Sequence, residues 1–209
     1  MPTKTLRLLS IFFGILYLVT QPWQPYPGSF IVKGLSVGLL AAIAFPRIPV
    51  LGFALAVSTL GDVLLDLDPQ RLFVYGLGSF LIAHITYIVL FVQHRPRPFT
   101  AKPPKIAAAI GVLLYSVAIS AWLLPSLGDL KIPVAIYMCA ITTMAITAIL
   151  ARFPTPWVAI GAILFVASDS LLAINKFKTP IPYRDILVWS TYYAAQYAIA
   201  TRNGVTSFS

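Results

Sequence analysis

Two aspartates stand inside otherwise apolar runs of this sequence, Asp62 in Ser58-Thr-Leu-Gly-Asp-Val-Leu-Leu and Asp169 in Phe165-Val-Ala-Ser-Asp-Ser-Leu-Leu. A carboxylate near the middle of a membrane helix costs about 2.5 to 3.5 kcal/mol on insertion scales. It therefore persists mainly where it faces a polar interior and serves a purpose. Two buried carboxyl groups can act as a general acid and base pair or as proton-relay sites. The alternative is structural, each aspartate being tied to Lys33 or to hydroxyls of a neighbouring helix. Asp66 and Asp68, just before Pro69, read as solvated carboxylates at the end of a span.

Other candidates surround this pair. Lys33, four residues into a span, is placed either to bind a substrate phosphate or tune an aspartate, or to snorkel to the interface. His84 lies mid-span with Gly76, Phe80 and Tyr87 on its helical face, which suits either packing or function at membrane depth. Trp189, Tyr192, Tyr193 and Gln196 make a polar and aromatic face, and Asn175 sits near a span end within reach of a headgroup. A catalytic metal normally takes three protein ligands, and the second histidine, His94, falls in a connection, so neither metal nor cofactor is expected. Gly34-Leu-Ser-Val-Gly38 matches the nucleophile elbow of serine hydrolases, but that motif needs a strand, a sharp turn and a helix. In a membrane span the same two glycines spell close helix packing.

The elements that must position these residues are membrane helices. The chain of 209 residues is 59% hydrophobic and 10% charged, with mean hydropathy +0.87, far below the roughly 25% charged of a soluble domain. Apolar runs of about 20 residues match a hydrocarbon core of about 30 Å, and alternation of the barrel kind is absent. The fold class is therefore all-α, a polytopic membrane bundle of eight helices in one domain. Apolar runs closed by Pro, Gly or charge place the spans at 6–20, 29–45, 49–66, 72–93, 106–124, 132–151, 155–174 and 184–201. Pro49, Pro133 and Pro156 fall in first turns, where proline is tolerated. Lys4 and Arg7 before Leu8–Val19 look like the start of a signal peptide. Gln21-Pro-Trp-Gln-Pro offers no small-residue cleavage site, so a retained first helix is expected. Cys139 is the single cysteine, which leaves no intramolecular disulfide.

The net charge of +9 arises from 15 Lys and Arg against six acids, all Asp. The cations lie mostly in short connections, where they set topology and meet anionic headgroups, and no basic arm or stripe suggests nucleic acid. Lys4, Arg7, Arg47, Arg95, Arg97, Lys102, Lys105, Arg152 and Arg202 fall on one side, and Arg71, Lys131, Lys176, Lys178 and Arg184 on the other. Both termini are therefore expected in the cytoplasm. In that topology Lys33, Asp62 and Asp169 lie in outer halves of their spans and can converge at similar depth.

Lys33, Leu60-Gly-Asp-Val-Leu-Leu, Gly76-Leu-Gly-Ser-Phe-Leu-Ile-Ala-His-Ile-Thr-Tyr, Phe165-Val-Ala-Ser-Asp-Ser-Leu-Leu-Ala-Ile-Asn-Lys-Phe and Thr191-Tyr-Tyr-Ala-Ala-Gln occur in this order. The set resembles the YhhN-like lysoplasmalogenase family from the second span to the eighth. Span one and residues 95–150 match in hydropathy alone. The resemblance implies a multi-pass membrane hydrolase that opens the vinyl ether bond of lysoplasmalogens, releasing a fatty aldehyde and a glycerophospho-base. It also implies that Asp62 and Asp169 are the catalytic pair, with Lys33, His84, Asn175, Tyr192 and Gln196 at polar family positions. The implied partners are a lysophospholipid substrate and membrane lipids. Two other classes use the same residues: a proton-coupled carrier with protonatable aspartates near the midplane, and a non-catalytic lipid-binding protein.

Overall fold

The structure, a computed structural model, describes residues 2–96 and 100–201; Arg97 and Arg202, two of the cations that set the expected topology, lie outside the described residues. Eight α-helices follow one another: α1 (Thr3–Thr20), α2 (Ser29–Ala44), α3 (Pro49–Leu67), α4 (Phe73–Gln93), α5 (Pro103–Leu123), α6 (Lys131–Leu150), α7 (Trp157–Phe177) and α8 (Arg184–Thr201). The described residues contain no strand. In lipid every backbone polar group must be satisfied within its own segment, and a helix does this without a neighbour. Each helix lies within a few residues of its expected span. The start of α1, the start of α5 and the end of α7 each extend three residues past the expected bound, and α5 begins on Pro103 and Pro104 because a first turn has no N–H to lose there.

The protein is an all-α integral membrane protein. Six helices are long and apolar enough to cross a bilayer: α1 with the turn after it, α3, α4, α5, α6 and α7. The other two depart from a simple span for separate reasons. α2 has 16 residues, a rise of about 24 Å, and α8 carries Arg184, Asp185, Tyr192, Tyr193 and Gln196 within its 18.

The chain divides into two compact units, one through Tyr87 and one from Ile88. Lipid tails are as apolar as leucine, so helices associate by close packing and hydrogen bonds rather than by escape from water. In the first unit Ser10 on α1 donates to the Ser36 carbonyl on α2 at 2.6 Å. α2 meets α3 across Gly34 and Gly38, where a Cβ on Gly34 would stand 3.0 Å from Val63 Cγ2 and one on Gly38 3.5 Å from Thr59 Cγ2. The apparent nucleophile elbow is thus a helix-packing seam, and Ser36 spends its hydroxyl on the Lys33 carbonyl. Phe80 of α4 lies over Gly61 of α3, and Leu65 of α3 over Gly76 of α4.

In the second unit α7 and α8 are the tightest pair. A Cβ on Gly161 would come 2.9 Å from the Ala195 carbonyl oxygen and 3.0 Å from Ile199 Cγ1. About two turns along, Ser168 donates to the Val188 carbonyl at 3.0 Å, which sets the antiparallel register. Val158, Ala162 and Phe165 of α7 and Ile141, Met144 and Ala145 of α6 are also buried in this unit.

Candidate functional site

The first unit holds a polar network in the last turns of α3. Lys33 Nζ lies 3.8 Å from Asp62 Oδ1, with the lysine side chain 15% and the aspartate 3% exposed. Ion pairing offsets part of the cost of keeping two charges away from water, provided that both partners remain. One turn along, in opposite directions on the two antiparallel helices, Ser29 Oγ donates to Asp66 Oδ2 at 2.5 Å. The contacts Lys33–Asp62 and Ser29–Asp66 are therefore successive rungs between α2 and α3. Tyr17 of α1 touches both rungs: its hydroxyl donates to Asp66 Oδ1, and its ring lies under Lys33 Nζ at 5.5 Å from the centroid.

This corrects the expectation for Asp66. The residue is the last polar position inside α3, with a hydroxyl on each carboxylate oxygen, and not a solvated end. Asp68 is the solvated one, just past the helix. The backbone N–H groups of Arg71 and Gln70 donate to its Oδ1 at 2.9 and 3.0 Å. These bonds, Arg71's first, hold its carboxyl below the usual carboxylate range.

Tyr17, Ser29 and Asp66 carried no functional expectation, and their coupling is testable. Tyr17→Phe should lower stability in detergent by about 0.6 to 1.7 kcal/mol, the span measured for hydrogen bonds between membrane helices. That loss should nearly vanish when Asp66 is already leucine, since the partner is then gone. Thermal unfolding of the four proteins of this double-mutant cycle reads the coupling, and additive losses would show that the bond is idle.

Two further polar positions of this unit lie on α4. His84 and Tyr87 are both fully buried, and Tyr87 brings its hydroxyl toward Ser58 and within electrostatic reach of Asp62.

In the second unit Asp169 on α7 accepts the hydroxyl of Tyr137 from α6, and Tyr137 is itself 6% exposed. Nothing in the sequence near Asp169 pointed to Tyr137, which lies 32 residues earlier. On α8, Tyr192 and Gln196 share the buried face, where Gln196 Nε2 donates to the Tyr192 hydroxyl at 3.2 Å. Tyr193 belongs to a second stripe, stacked on Trp189 at 5.8 Å and followed by Tyr197 at 6.2 Å. Asn175 serves the chain itself: its side-chain oxygen accepts the Ile181 N–H at 3.0 Å and so pins the connection from α7 to α8. Among the described residues no group of three or more His, Cys, Asp or Glu is placed to hold a metal ion.

Both marked aspartates thus sit at interior positions of apolar helices, Asp62 with a cation and Asp169 with a hydroxyl donor on a neighbouring helix. The model of the YhhN family matches residues 28–203, from the start of α2 to the end of α8. The chain belongs to the YhhN family. Similar proteins include one from Mycobacterium bovis named Lysoplasmalogenase, 38% identical over 151 residues, which is 70% of this chain and 57% of that protein. The human Lysoplasmalogenase TMEM86A is 32% identical over 175 residues, covering 79% of this chain and 70% of its own. The pig Lysoplasmalogenase TMEM86B is 34% identical over 149 residues, covering 70% and 60%. The match spans little more than half the length of the mycobacterial relative. No solved structure matches the chain.

Proposed function

We propose that this member of the YhhN family hydrolyses the vinyl ether bond of lysoplasmalogens, yielding a fatty aldehyde and a glycerophospho-base. The observation that carries the reading is the family match over residues 28–203, among relatives that bear the name Lysoplasmalogenase. Vinyl ethers hydrolyse by slow proton transfer to the β-carbon. Water then captures the oxocarbenium ion, and the hemiacetal collapses to aldehyde and alcohol. The reaction needs a proton donor and a negative charge near the cation, and two carboxyl groups supply both, as in glycoside hydrolysis. In this proposal Asp62 and Asp169 are those groups. One delivers the proton; the other, ionised, steadies the cation and directs water.

The roles of the remaining residues follow from what they touch. Lys33 is proposed to hold Asp62 in place and to meet the substrate phosphate as the lysolipid enters. Tyr137 orients Asp169, and the Tyr17, Ser29 and Asp66 network keeps α1 and α2 against α3. His84, Tyr192, Tyr193, Gln196 and Asn175 are proposed as substrate-side or supporting polar positions. The cation asymmetry supports a topology with both termini in the cytoplasm.

The test is turnover by the purified chain in detergent. Incubated with ethanolamine and choline lysoplasmalogens, it should release fatty aldehyde, scored by mass spectrometry. Absence of release in detergent, together with gradient-driven uptake in sealed vesicles, would identify a carrier instead. Lys33→Met should reduce aldehyde release by about tenfold to a hundredfold, the loss typical when a group that orients a metal ligand is removed and expected here for one that holds a carboxylate. Equal rates for this variant and the parent would remove Lys33 from the site.

A further inference from the structure

Three segments meet at one corner of the second unit: the end of α4, the start of α5 and the connection after α6. The Arg152 backbone N–H donates to the His94 carbonyl at 2.8 Å, and the His94 ring stacks on Phe153 at 4.9 Å. Lys105 reaches across from the first turn of α5 to donate to the Ala151 carbonyl at 2.5 Å. The Lys105 ammonium thereby satisfies an open carbonyl at the end of α6, where a cation also suits the helix dipole.

The charges that this arrangement gathers are all of one sign. Lys102 and Arg152 both lie within electrostatic reach of Lys105, and Arg95 follows His94 directly. No acidic residue occurs in the sequence between Asp68 and Asp129 or between Asp129 and Asp169, so these segments bring no carboxylate of their own. The first turn of α5 likewise contains no acid, although the positive end of its dipole favours one. Like charges gathered at a partly buried place repel one another, and an anion among them relieves that repulsion. Lys102, Arg152 and Arg95 are exposed and so able to meet it, while Lys105 is half-buried. Trp157, 46% exposed at the start of α7, is of the residue type that sits at headgroup level and marks the corner as interfacial.

We propose that this corner binds the phosphodiester of an anionic phospholipid, with Lys102 and Arg152 on the phosphate oxygens and Lys105 as the fixed charge behind them. A lipid is favoured over a free anion because the corner lies at the end of apolar helices, where a headgroup arrives with its chains already against protein. Each cation near an anionic surface contributes enough to change affinity about fivefold.

The experiment uses the full chain in nanodiscs of phosphatidylcholine doped with phosphatidylglycerol, with bound lipid counted by native mass spectrometry. The parent should retain phosphatidylglycerol over phosphatidylcholine. Lys102→Gln and Arg152→Gln should each reduce that preference about fivefold, and the double variant about 25-fold. Neither substitution touches the bond from Lys105 to Ala151. Lys131→Gln and Lys178→Gln, at the opposite ends of α6 and α7, should keep the parent's preference. The proposal is overturned if the parent does not discriminate between the lipids, or if the double variant keeps its preference. It is equally overturned if inorganic phosphate at matched concentration displaces the bound lipid and raises the thermal midpoint as much. None of these readings depends on turnover, so they stand or fall apart from the proposed hydrolysis.

Discussion

Asp62→Asn and Asp169→Asn are each expected to reduce aldehyde release by about 10²- to 10⁴-fold, the usual worth of a positioned acid or base. Asparagine keeps the shape and much of the hydrogen bonding of aspartate but can neither deliver nor hold a proton. At position 169 the Tyr137 hydroxyl can still donate to the amide oxygen, so the helix contact survives while the chemistry is lost. Position 62 needs one more control. Removing its charge leaves Lys33, a side chain only 15% exposed, without the carboxylate 3.8 Å away, and breaking one half of a buried pair destabilises. The double variant Lys33→Met, Asp62→Asn removes both charges and separates a folding loss from a catalytic one. Rates should be expressed per monodisperse, folded molecule. Asp129→Asn and Asp185→Asn, on residues outside the proposed chemistry, should turn over as the parent does. Undiminished release from either Asp62→Asn or Asp169→Asn would end the two-carboxyl mechanism.

The largest effect on stability is expected from Gly161→Val. The first atom that any side chain adds there would stand 2.9 Å from the Ala195 carbonyl oxygen and 3.2 Å from the Ala198 Cβ. The obstacle is the backbone of α8 itself, which no rotamer change can move. Overpacking commonly costs about 1 to 3 kcal/mol, and a fixed backbone contact puts this site at the upper end. The register bond from Ser168 to Val188 would be stretched at the same time. Gly111 on α5 is the comparison, since a Cβ there meets nothing within 4 Å. Gly111→Ala should be neutral or gain up to about 1 kcal/mol from helix propensity. Thermal unfolding in detergent, followed by size-exclusion profile, reads both. A Gly161→Val protein as stable as Gly111→Ala would mean that the α7 and α8 seam is not packed as described.

Much of the fold was legible because a bilayer leaves the chain few choices. A run of apolar residues long enough to cross must satisfy its own backbone, so run length and proline positions located all eight helices. They located α2 and α8 too, although the first is short and the second polar. α8 also shows where a hydropathy pattern thins: its buried face includes Trp189, Tyr192 and Gln196, residues whose polar atoms lower the mean hydropathy of the helix.

Asp62 and Asp169 were legible for the same energetic reason, since a carboxylate in an apolar run stands out against its surroundings. Lys33 stood out likewise, and its contact with Asp62 follows from two antiparallel helices joined by a short turn. Tyr17, Ser29 and Tyr137 did not stand out. Tyrosine and serine are ordinary residues in membrane spans, and ten tyrosines are spread along this chain. Only the tertiary structure decides which hydroxyl meets which carboxylate, because that depends on which helices are neighbours and how each is turned about its axis. Asp66 shows this most plainly. Its place before Asp68 and Pro69 suggested water, but donors 49 and 37 residues away in the sequence reach its two oxygens. By itself the sequence determined that costly charges lie in membrane helices. The packing of α1, α2 and α3 in one unit, and of α6 and α7 in the other, decided what each charge touches.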